Sequence, residues 1–248
     1  RPHDTIGAMR ENALSGFAAL AAGVLLAGAC WWLTVAMALD FSAPSAAASW
    51  RDAPYGVLFG MWAVMMAAMM APSAAPFLRL FGRVAALQKS APHAQTTAAA
   101  GGYFFVWLAV SALLAAVHLA LGEMLNGEMA LAHPHARAAV FAAAGIYQWT
   151  PFKFACLRGC RPPPLFLILH WRRGIGGAFR AGARNGLYCA GCCWALMLLL
   201  FAGGAMDLRW ILALAAFALA EKTLPHPQIT ARLAGGVLLA LAAAEILQ

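Results

Sequence analysis

From Gly186 to Ala205 the chain runs for twenty residues without one charged side chain, and six further stretches come close to that pattern. About 20 apolar residues in helical form cross the hydrocarbon layer of a bilayer. In lipid only helices and closed barrels satisfy every backbone N–H and C=O. The runs are continuous, where a barrel would alternate polar and apolar residues over short segments. The expected fold class is therefore all-α, a polytopic membrane helix bundle. Composition supports this: 63% of the 248 residues are hydrophobic and only 10% are charged, far from the average of a globular domain.

About seven transmembrane helices are expected, near 14–38, 57–79, 101–121, 137–155, 185–205, 208–221 and 230–247. The sixth is short, so six spans are an alternative; Pro225 and Pro227 force the turn that ends it. A single integral membrane domain covers 1–248, with a basic cytoplasmic loop at 156–184. The run Ala13–Leu39 exceeds the apolar core of a signal peptide and is read as a span. Fourteen of the seventeen Lys and Arg residues fall on one side of this map, leaving Arg51, Arg137 and Arg209 on the other. The positive-inside rule then puts the N-terminus in the cytoplasm, in a multi-pass protein of a bacterial inner (cytoplasmic) membrane. Topology accounts for the net charge of +8, so no nucleic acid partner is invoked; the expected partners are the lipid bilayer and a metal ion.

The metal is suggested by sulfur. Cys189, Cys192 and Cys193 stand at i, i+3 and i+4, on one face of the fifth span, with Met197 a turn beyond Cys193. Cys156 and Cys160, at i and i+4, lie at the cytoplasmic end of the fourth. One cytoplasmic loop joins these two helices, so five of the six cysteines fall in the same leaflet, where thiols stay reduced. The second span adds Met61, Met65 and Met69 as one stripe flanked by Met66 and Met70. The rise per residue puts Met69 and Met70 at a depth comparable to Cys192 and Cys193. The candidate metal ligands are thus Cys192, Cys193, Cys189, Cys156, Cys160, Met69, Met70, Met66, Met65 and Met197. Thiolate and thioether donors favour copper as Cu(I), with zinc a weaker fit. Cysteine and methionine are also ordinary packing residues, so the expectation stands on the clusters meeting in space.

Other features are weaker. Met124, Met129, His133 and His135 in the third-to-fourth connection, with His118 nearby, could catch a metal on the outer side. Gln148 within lipid needs a partner in the bundle, and Lys153 is expected to snorkel to the interface. The segment 162–173 reads as a surface helix on anionic lipid. Glu221 and Lys222 suggest an interfacial ion pair.

Several pieces together resemble a bacterial and archaeal family labelled predicted metal-binding integral membrane protein, a domain of unknown function. They are Trp62 with Met65-Met66-Ala67-Ala68-Met69-Met70-Ala71-Pro72-Ser73, and Tyr147-Gln148 with Pro151-Phe152-Lys153, Cys156-Leu157 and Cys160-Arg161. Gly191-Cys192-Cys193-Trp194 with Met197, Gly204-Ala205-Met206 and Glu221-Lys222 complete the set. The resemblance implies metal binding but no particular ion or reaction; Cys189 and the outer histidines are outside it.

Three functions fit these residues. The first is handling of Cu(I) by Cys and Met coordination, for transport, storage or delivery to a metalloprotein. The second is an accessory or assembly subunit of a larger membrane complex, since small residues permit close helix packing; a metallochaperone is a further possible partner. The third is a membrane thiol–disulfide oxidoreductase using the Cys189-x-x-Cys192 pair. Hydrolase motifs, a phosphate loop and paired intramembrane carboxylates are absent from the sequence, which leans against an enzyme.

Overall fold

The computed structural model describes residues 23–40, 53–88, 91–126, 129–161 and 174–247. Among them the chain forms eight α-helices: α1 (Gly23–Asp40), α2 (Tyr55–Leu87), α3 (Pro92–Ala120), α4 (Pro134–Tyr147), α5 (Pro151–Cys160), α6 (Ile175–Gly203), α7 (Leu208–Thr223) and α8 (Pro227–Ile246). Five of these, α1, α2, α3, α6 and α8, are long and apolar enough to cross a membrane.

The expected fourth span, 137–155, is two helices. Thr150 has extended backbone and its side chain accepts from the Lys153 N–H, while Pro151 opens α5. A cap followed by proline at the first helical position starts a new helix, so the chain breaks at Gln148-Trp149-Thr150. The expected sixth span is α7, whose sixteen residues rise only about 24 Å. The described residues of the expected loop 156–184 are almost all helical: Cys156 and Cys160 belong to α5, and α6 begins at Ile175, well before 185. Arg180 and Arg184 therefore lie on a helix. The surface helix expected at 162–173 and the N-terminal part of the first span lie outside the described residues.

α6 is the central element, packed against α3, α4, α5 and α7. Its seam with α3 is made of glycine. A Cβ at Gly182 would stand 1.8 Å from the Ala99 carbonyl oxygen, and one at Gly102 would stand 2.0 Å from that of Phe179. Small residues let two backbones touch, and this seam runs parallel, Ala99 beside Gly182 and Tyr103 beside Gly186. α2, α5 and α7 run opposite to α6, as their side-chain contacts show: Trp62 meets Phe201 near one end and Met70 meets Cys189 further along. α4 pairs with α8, Arg137 bonding Glu245 at 2.7 Å and Trp149 donating to the Arg232 carbonyl. α1 packs loosely, with about a tenth of its residues buried.

Gly204, at φ 98°, ends α6 in a backbone conformation that favours glycine. Asp207 then caps α7, accepting from the N–H groups of Arg209 and Trp210. The Arg209 side chain bonds the same carboxyl and holds it below the usual carboxylate range.

Because α5 and α7 are short, their ends at Cys160 and Lys222 fall beside the middle of α6. Cys189 is fourteen residues from the α6 end at Gly203, about 21 Å. Beyond the site α2, α3 and α6 continue together, sealed by Phe77, Phe81, Ala85, Ala99 and Ala178. These extensions carry Arg79, Arg83, Arg180 and Arg184.

Candidate metal centre

Five helices meet at Cys189. From α6, its buried Sγ lies 4.0 Å from the Met70 Sδ of α2 and 3.0 Å from the Tyr103 hydroxyl of α3. From α7, the Lys222 Nζ donates to the same sulfur at 3.0 Å. From α5, Cys160 is buried in the same core cluster as Cys189 and Cys192. The α3–α6 glycine seam causes part of this: Gly182, Gly186 and Cys189 share a helix face at i, i+4 and i+7, so the face that touches α3 also presents Cys189 to Tyr103.

The other thiols surround this point. Cys192 and Cys193 turn back to donate to the Cys189 carbonyl at 3.1 and 2.9 Å. Cys156 faces Gly191: a Cβ there would lie 2.7 Å from its Sγ, so the absence of a side chain at 191 admits the sulfur. Tyr147 of α4 hydrogen-bonds the Gly191 carbonyl and sets its ring edge-on to Trp194 at 5.0 Å. All five cysteines are free.

Each predicted ligand is buried, and the structure sorts them. Cys189 and Met70 bring their sulfurs to 4.0 Å, with Cys160, Cys192, Cys193 and Cys156 in the same buried cluster. Met65, Met66 and Met69 are buried along the same helix as Met70, and Met197 is buried one turn beyond Cys193. Two sulfurs bound to one ion at about 2.3 Å each can be no more than about 4.6 Å apart; the Cys189–Met70 pair meets that limit. Among the described residues no three His, Cys, Asp or Glu side chains stand ready to hold a metal ion. As they stand, the thiols of Cys192 and Cys193 are occupied with a backbone carbonyl.

A second buried polar group lies alongside. Lys153 does not snorkel: it is fully buried, pairing with both Glu221 oxygens at 2.7 and 2.9 Å and with the Gln148 side chain. Glu221 and Lys222 are therefore not an ion pair with each other. Adjacent residues point about 100° apart on a helix, and α7 sends one to Lys153 and the other to Cys189. Lys222 and Tyr103 are the polar partners of the sulfur centre that sequence reasoning missed. Glu221-Lys222 as a dipeptide was the only visible signal.

The outer residues do not form a comparable group. Met124, His133 and His135 are exposed, while Met129 folds inward with Leu131, whose N–H donates to the Phe201 carbonyl. His118 is buried away from them, between Trp62 and Phe201.

A family model described as a copper chaperone, PpoB2, matches residues 59–245. No curated protein and no solved structure matches.

Proposed function

Because this chain belongs to the PpoB2 copper chaperone family, we propose that it carries Cu(I) within a membrane, taking the ion at the Cys189–Met70 pair and passing it to a copper-requiring protein. One observation carries this reading: a thiol and a thioether from different helices stand 4.0 Å apart in a buried centre ringed by four more thiols. Mixed thiolate and thioether donors select Cu(I) over zinc. Metal-binding thiols must lose their protons, and a thiolate at Cys189 has the Lys222 ammonium 3.0 Å away to balance its charge.

Copper is cargo here. One of Cys192 and Cys193 supplies a second thiolate on leaving its hydrogen bond to the Cys189 carbonyl, with Cys160 and Cys156 in reserve along α5. Met65, Met66, Met69 and Met197 line the approach. Exchange between neighbouring sulfurs avoids an unliganded cation in lipid. The topology proposed with this reading has seven crossings, counting α4–α5 as one broken span and α7 as a short one, and a cytoplasmic N-terminus.

Elemental analysis of the protein purified under reducing conditions tests the reading. Wild type is expected to retain copper in near-stoichiometric amount, and Cys189→Ser to lose most of it. Full copper occupancy in Cys189→Ser would place the ion elsewhere.

A further inference from the structure

Lys222 has no carboxylate partner within ion-pair distance among the described residues, since Glu221 spends both oxygens on Lys153. The sulfur centre thus holds one fixed positive charge, 3.0 Å from Cys189 Sγ, beside the fully buried Cys189 and Met70. We propose that Lys222 makes this site selective for the charge of the ion, admitting a monovalent soft cation and rejecting a divalent one. The inference rests on the copper reading above and deepens it to a rule for which ions enter.

The charge count carries the argument. The Lys222 ammonium and a Cys189 thiolate cancel. A monovalent ion then needs one further thiolate for the buried group to stay neutral. A divalent ion needs two further thiolates, hence three around one ion, and no three cysteines among the described residues are arranged for that. An uncompensated charge in a low-dielectric interior is strongly disfavoured. Without Lys222, a divalent ion with two thiolates is neutral, and the discrimination reverses in sign.

Tyr103 does not share this role. Its hydroxyl touches the same sulfur but brings no net charge, so it holds Cys189 in place without setting the charge count.

Silver(I) and cadmium(II) are suitable probes: both are soft, closed-shell and redox-inert, and they differ in charge. The experiment measures the dissociation constants of both ions for the full-length protein in detergent, under reducing conditions, in wild type, Lys222→Met and Lys222→Arg. Wild type is expected to prefer Ag(I). Lys222→Met is expected to shift the Cd(II)-to-Ag(I) preference toward Cd(II) by about tenfold or more, and Lys222→Arg to keep the wild-type preference. A Lys222→Met preference equal to wild type, or a wild type that binds Cd(II) as tightly as Ag(I), overturns the inference. Failure of wild type to bind Ag(I) at all instead overturns the copper reading itself. Should Lys222→Met not fold, by helix content and thermal transition, Lys222→Gln makes the same comparison.

Discussion

At the scale of single residues, the interior is defined by polar groups that found partners far away in sequence. Lys153 and Glu221 are 68 positions apart and fully enclosed. Removing one partner leaves a buried charge with nothing opposite it, which typically costs about 3–5 kcal/mol. Glu221→Ala is therefore expected to lower stability by that order in thermal or chemical denaturation, and the double variant Glu221→Leu with Lys153→Met to recover most of it. A double variant as unstable as the single one would show that the pair does more than cancel itself. None of this was legible in the sequence. Glu221 sits next to Lys222, and chain adjacency suggested the wrong pair, because nothing in a linear pattern says which neighbouring helix each face of α7 meets. The thiols were easier: spacing alone put Cys189, Cys192 and Cys193 on one face, and the structure keeps them together.

At the scale of helices, the α3–α6 seam fixes where Tyr103 lies relative to Cys189. Gly182→Ala would drive a methyl group into the Ala99 carbonyl, at 1.8 Å. Backbone cannot yield there as a flexible side chain would, so the helices must separate. Overpacking of this kind costs about 1–3 kcal/mol or more. Gly182→Ala is expected to lower the thermal transition and weaken copper retention together, whereas Gly176→Ala, with open space around it, should change neither. Helix existence was readable from apolar runs, and helix ends were not. Extension of α6 back to Ile175 and of α2 on to Leu87 comes from mutual packing of segments that carry arginine. A hydropathy window stops at those arginines. The division between α4 and α5 was announced by Thr150 and Pro151, yet the same proline also suits a kinked single span.

At the scale of the whole molecule, α3 and α6 run together and α2, α5 and α7 run against them, and the short helices α5 and α7 end where the sulfur centre lies. Fold class followed from the sequence because lipid leaves so few alternatives. Convergence of α2, α5, α6 and α7 on one point did not, since it depends on α5 and α7 being short enough to end at mid-depth of α6.

The seclusion of the thiols has a practical corollary. Cys156, Cys160, Cys189, Cys192 and Cys193 are each less than a tenth exposed, while Cys30 on loosely packed α1 is more open. In detergent, a membrane-permeant maleimide should modify Cys30 first and the other five only as fast as the bundle breathes. The lag between the two phases, read by intact mass, then clocks how often the interior opens. If all six were modified in a single phase, the five thiols would not be enclosed in the native protein.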